Sequence, residues 1–112
     1  MTNFKSGDIV LVSFPFVDNE QTKRRPALVL LDTGDADLVV ARVTSQPRQD
    51  EFDIEIADWR GAGLLVSSVA RLSKLATLEK SLVARTLGKL QPTDYQAICA
   101  TLEQLFSGWR LG

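Results

Sequence analysis

Three consecutive cations, Lys23, Arg24 and Arg25, stand directly before a proline and an apolar run, Pro26–Leu31 (PALVLL). They end a polar stretch, Asp18–Arg25 (DNEQTKRR), within a segment, Phe16–Arg25, that reads as a long hairpin loop. Long polar loops are usually functional or disordered. An arginine fixed between such a loop and a proline-led strand would sit at the mouth of a barrel and offer a planar fork of donors to a phosphate. The plainer reading is a solvated turn that keeps a hairpin soluble. Thr44–Ser45–Gln46 closes another apolar run and offers two hydroxyls and an amide to phosphate oxygens or base edges. Such triplets also make ordinary turns. Arg71, inside Ser68–Lys74 (SVARLSK), is the third candidate, although a cation in a strand pattern commonly just faces solvent.

The residue types absent from the chain narrow the chemistry. There is no histidine, which removes Ser–His–Asp and Cys–His catalysis and histidine metal sites. The single cysteine, Cys99, has no partner for an internal disulfide, and its apolar surroundings read as packing. Glu51, Asp53 and Glu55 alternate with Phe52, Ile54 and Ile56, which reads as the solvated face of a strand rather than a metal site. No metal and no cofactor are expected. The net charge of −1 argues against a protein that coats nucleic acid, while leaving room for a short strand on a local basic patch.

The elements that must position these groups are mainly strands. The length of 112 residues suits one domain with a real core. Asp8–Phe14 is a continuous apolar run, as expected of a strand buried on both faces, and Pro15 ends it. Gly34–Asp37 reads as a turn, Leu38–Thr44 as the third strand, Glu51–Ile56 as the fourth and Trp59–Gly63 as a turn. Two more strands are expected within Ser68–Ala76 and Leu82–Leu87. Pro92 then suits a first helical turn. Tyr95, Ile98, Leu102 and Leu105 follow at helical spacing, widened by Cys99 and Phe106, as a stripe for the sheet or for a dimer. The fold class is mainly β with a C-terminal helix, a compact and mostly antiparallel barrel closed by that helix. No apolar stretch is long enough to span a bilayer, and the N-terminus lacks a signal-peptide core, so a cytoplasmic location is expected.

Taken in order, these blocks resemble the MazF/PemK family of toxins from type II toxin–antitoxin systems. GDIVLVSFPF…EQTKRRPALVL (Gly7–Leu30) is similar to the family's opening, VTSQ (Val43–Gln46) to its Thr–x–Gln block, and AGLLVSSVARLSKL (Ala62–Leu75) to its Gly-Leu…Val-x-Arg region. The resemblance covers nearly the whole chain. It implies one toxin domain over residues 1–112, with the SH3-like barrel of the MazF/Kid/CcdB toxins. It also implies sequence-specific, metal-independent cleavage of single-stranded RNA by 2′-OH attack, a homodimer and a cognate antitoxin. Carried over by residue, it makes Arg25 and Thr44 catalytic. Glu20, Gln21 and Arg71 fall on supporting positions, beside Lys23, Arg24, Ser45 and Gln46 from the basic patch and the strand end. Glu20 is the tentative base. The family's Kid-like members carry an aspartate two residues after the arginine, where this chain has Ser73. The alternatives are a CcdB-like toxin that binds a topoisomerase without catalysis, and an SH3-like peptide-binding module. SH3 grooves need rows of exposed aromatics, and aromatic residues make up only 7% of this chain.

Overall fold

The structure, a computed structural model, describes residues 3–15 and 22–109. Six strands form one antiparallel sheet: β1 (Asp8–Pro15), β2 (Thr22–Leu31), β3 (Asp37–Thr44), β4 (Asp53–Glu55), β5 (Val69–Glu79) and β6 (Val83–Lys89). They lie in the order β4-β5-β3-β2-β1-β6. A helix, α1 (Pro92–Leu105), follows, with Pro92 in its first turn as the sequence suggests. The fold is therefore mainly β with a C-terminal helix, as expected.

Both faces of the sheet are apolar, which explains why β1 shows no alternation. Ile9 packs with Leu28, Ala41, Val43, Ile56, Leu72 and Ile98 in one core. Val10 and Val12 pack with Ala27, Val29, Leu38 and Val40 in the other. One core lies under α1, where Leu102 and Leu105 join Ile98. The other is covered by Phe4, Leu82 and Val83. The largest break in register lies in β5. Ala41 pairs with Leu75 while the next residue, Arg42, pairs with Arg71, so Leu72–Lys74 are extruded from the ladder. An interruption of this size bends the strand and lets one end pair with β4.

Several boundaries differ from the expected ones. β2 begins at Thr22, not Pro26, because β1 supplies it a partner all the way to Pro15. Lys23, Arg24 and Arg25 therefore belong to a strand rather than a loop. Pro26 lies one residue beyond the β2–β3 ladder, which ends at Ala27, so its missing N–H interrupts no bond to β3. The helix is rotated relative to the expected stripe. Its buried residues are Asp94, Ile98 and Thr101, whereas Tyr95 is 41% and Phe106 49% exposed. Cys99 is also exposed, contrary to its reading as core packing. The helix phase is set by Asp94, whose carboxylate accepts N–H bonds from Ala57 (2.9 Å) and Asp58 (2.8 Å) and holds the helix to the turn after β4. That turn lies close against β6: Gly63, at φ +88°, leaves no room for a Cβ against the Leu87 carbonyl.

A second buried carboxylate ties three segments together. Asp32 accepts hydrogen bonds from the N–H groups of Phe4 (2.7 Å) and Gly34 (2.8 Å) and lies 2.9 Å from the Lys80 ammonium. The Phe4 N–H first, then Lys80 and the Gly34 N–H, lower the Asp32 pKa from 3.8 to about 2. A folded-state value below the unfolded one stabilises the fold above the unfolded value, and that contribution disappears as pH falls through the folded value. Thermal unfolding followed across pH should therefore show stability declining between about 4 and about 2. Asp32→Asn should be less stable at pH 7 and show a weaker decline across this window. A variant with the full wild-type acid dependence would show that another group is responsible.

Candidate functional site

Register assigns the candidate residues to faces of the sheet. Residues directly opposed across an antiparallel pair share a face, and neighbours along a strand alternate. Arg25 opposes Val12, and Ala27 opposes Val10, so Arg25 continues the face that carries the second core. Ala27 in turn opposes Arg42, and Arg42 opposes Arg71. Thr44, two residues beyond Arg42, belongs to the same face and opposes Val69. Arg25, Arg42, Thr44 and Arg71 thus share one face, where the second core gives way to polar side chains. Lys23 has the parity of Arg25. Arg24 alternates to the opposite face, so the three cations do not form a single patch.

Arg25 is exposed and makes no ion pair or side-chain hydrogen bond among the described residues. Its backbone is nonetheless fixed, since it lies inside the β1–β2 ladder. A guanidinium so placed has the donor geometry to engage a phosphate. Thr44 is half-buried at the end of β3, and its Oγ1 accepts the Gln46 N–H at 3.1 Å, which starts the following turn. The hydroxyl hydrogen remains available to a ligand oxygen. Ser45 and Gln46 are exposed on that turn. Glu20 and Gln21 lie outside the described residues.

Arg71 is not a free cation. Its Nε donates to Asp53 Oδ1 at 3.1 Å, and its Nη2 lies 3.5 Å from Asp50 Oδ2. Asp53 corrects the expectation of a solvated acidic face, because its side chain is only 1% exposed. The alternation is real for Glu51 and Glu55, both exposed, but Asp53 turns inward to meet Arg71. Asp53 Oδ2 also accepts the N–H groups of Gln49 (2.9 Å) and Asp50 (3.3 Å). Burial alone would raise its pKa, but the Gln49 N–H, Arg71 and the Asp50 N–H together outweigh it and hold the carboxyl below the usual range. Asp50 in turn accepts the Phe52 N–H at 2.8 Å and the Ser73 hydroxyl at 3.4 Å. The segment from Thr44 to Asp53 is therefore braced from within. Ser73 joins this brace through its hydroxyl.

Arg42 also lies on this face, although its position did not single it out in the sequence. The signal was present in Leu38–Thr44: Leu38, Val40, Arg42 and Thr44 share one parity, and Arg42 is the only charge among them. Among the described residues no group of histidine, cysteine or carboxylate side chains could hold a metal ion. No helix among them is long and apolar enough to cross a membrane.

A mainly antiparallel six-stranded sheet with one C-terminal helix defines the class of fold. The family model for PemK-like, MazF-like toxins of type II toxin–antitoxin systems matches residues 5–106. The chain belongs to this family, and it is a MazF-like toxin rather than a CcdB-like one. No curated protein sequence matched it. Among solved structures, an endoribonuclease from Mycobacterial species superposes with a TM-score of 0.74 at 16% identity, covering 96% of this chain and 94% of that one. An endoribonuclease in complex with its cognate antitoxin, also from Mycobacterial species, gives 0.71 at 17% identity over 95% and 96% of the two chains. The MazE–MazF complex (Form-II) from Deinococcus radiodurans gives 0.73 at 24% identity over 94% and 96%. At these identities the likeness is one of fold.

Proposed function

We propose that this toxin is a sequence-specific, metal-independent endoribonuclease that cuts single-stranded RNA. The observation that carries the reading is the Arg25 guanidinium, exposed and unpaired among the described residues on a rigid strand, with the Thr44 hydroxyl on the same face. In the reaction the RNA 2′-oxygen bonds to its adjacent phosphorus and the P–O5′ bond breaks. A cyclic phosphate and a free 5′-OH result. The nucleophile is the substrate's own, so the chain needs no serine or cysteine nucleophile.

The enzyme's tasks are to hold the phosphate, offset the growing charge and move two protons. Arg25 offers two donors to the non-bridging oxygens, a contact that strengthens as charge accumulates in the transition state. Thr44 donates its hydroxyl to a non-bridging oxygen. Glu20 accepts the 2′-OH proton in this reading, and the Arg25 guanidinium gives a proton to the departing 5′-oxygen and recovers one from solvent. Single-stranded substrate follows from the chemistry, since in-line attack needs a backbone freed from A-form geometry and base edges are readable when unpaired. Ser45 and Gln46 face that strand, as does Lys23. The toxin acts in the cytoplasm as a homodimer, with the RNA face of each protomer extended across the two-fold axis. A cognate antitoxin restrains it, as the solved complexes of structural relatives suggest. Its acidic, partly apolar tail would compete with RNA for Lys23, Arg25 and their neighbours.

The test is incubation of the purified protein, sized by sedimentation, with mixed-sequence RNA in EDTA, followed by end mapping. Cuts at a short recurrent sequence, leaving 2′,3′-cyclic phosphate and 5′-OH ends, are expected. Cleavage that vanishes in EDTA and returns with magnesium would overturn the mechanism.

A further inference from the structure

We propose that Arg42 is a second phosphate ligand on the RNA-binding face, holding the phosphate next to the scissile one. The inference rests on the endoribonuclease reading and adds a residue to its substrate site. Arg42 is exposed on β3, two residues before Thr44, and makes no ion pair or side-chain hydrogen bond among the described residues. It stands directly opposite another cation, Arg71, on β5.

Like charges directly opposed across a sheet are destabilising. Here the two arginines differ in their compensation. Arg71 is held by Asp53 and Asp50, at 3.1 and 3.5 Å. On its other flank Arg42 opposes Ala27, which has nothing to offer a guanidinium. Arg42 is therefore uncompensated beside a paired neighbour, on the face that also carries Arg25, which likewise has no side-chain partner among the described residues. A purely solubilising charge needs no such position, since β3 already ends in exposed polar residues at Ser45 and Gln46.

Spacing identifies the ligand. Extended two residues beyond its last pair, Ala27 with Arg42, the β2–β3 register would set Arg25 beside Thr44, and Arg42 lies two residues of extended chain, about 7 Å, from Thr44 along β3. This is the scale of one nucleotide step in a single strand. A strand with its scissile phosphate on Arg25 and Thr44 thus brings a neighbouring phosphate within reach of the long Arg42 side chain. A single isolated anion would need only one of these two cations. A flexible polyanion of this repeat uses both.

The experiment reads binding and turnover separately. A mixed-sequence 2′-O-methyl RNA, which lacks the attacking hydroxyl, is titrated against wild type, Arg42→Gln and Arg85→Gln over a salt series. Loss of one phosphate contact should make the plot of log K against log salt shallower by about 0.7. Arg42→Gln should show that change, with KM for cleavable RNA raised about tenfold, the effect of losing one charge-assisted contact, and a smaller change in kcat. Arg85 is an exposed cation on β6 opposite Leu11, on the other face, and its neutralisation should leave the slope unchanged. A wild type that cuts RNA alongside an Arg42→Gln protein of unchanged slope and KM would overturn the role of Arg42 alone. Equal slope changes in both variants would also overturn it, since they would reflect net charge rather than a contact. A wild type that neither binds nor cuts RNA would remove the endoribonuclease reading, and this inference with it.

Discussion

Arg25→Ala is expected to lower RNA cleavage by on the order of 100-fold or more, the scale of losing a principal transition-state donor. The fold should survive. The Arg25 side chain is exposed and has no partner among the described residues, while its backbone pairing to Val12 does not depend on the side chain. Unfolding midpoint and secondary structure should therefore match wild type, so that the loss reads as chemistry. Arg25→Lys should remain far below wild type, because a point charge lacks the fork that engages two phosphate oxygens. Binding of uncleavable RNA should weaken less than cleavage does, since part of the contact forms only as charge develops. A folded Arg25→Ala protein with wild-type turnover would move the site elsewhere on the sheet.

Arg25 could be singled out as a candidate from sequence, but its setting in a strand could not. A cationic run after polar residues looks like a loop, and β2 extends through it only because β1 continues far enough to pair with it. Once Lys23–Arg25 are in a strand, alternation separates Arg24 from its neighbours, which no composition argument reveals. Continuous apolar runs such as β1 and the core of β3 were readable because burial on both faces leaves no polar residue to misplace. Asp53 was misread for the converse reason. In a period-two strand a buried carboxylate and a solvated one look identical, and the choice depends on Arg71, 18 residues further along. The helix was recognisable by its period, but its rotation was decided by Asp94, a polar residue that an apolar stripe ignores.

Asp53→Ala is expected to destabilise the protein and slow cleavage together. The substitution leaves Arg71 with only Asp50, which is 40% exposed and sits at 3.5 Å, and it removes the acceptor of the Gln49 and Asp50 N–H groups. Removing one partner of a buried pair leaves an uncompensated charge, and the surviving Asp50 contact puts the loss near the lower end of that range, at about 3 kcal/mol. That is a large share of the stability of an ordinary domain, on the order of 5–15 kcal/mol. The effect on cleavage has a different origin. Asp53 touches no substrate in this reading; it braces the segment that runs from Thr44 through Gln46 to Asp50. With the brace gone, the Thr44 hydroxyl and the Gln46 amide sample more geometries, and kcat should fall even at temperatures where the protein stays folded. A double-mutant cycle separates the two effects. Arg71→Met alone strands Asp53, whereas Asp53→Ala with Arg71→Met removes both charges and should recover part of the stability. The double variant still lacks the acceptor for Gln49 and Asp50, so its kcat should remain low. Recovery of kcat in step with stability would mean that Asp53 acts only on folding, and that the segment after Thr44 holds its shape without it.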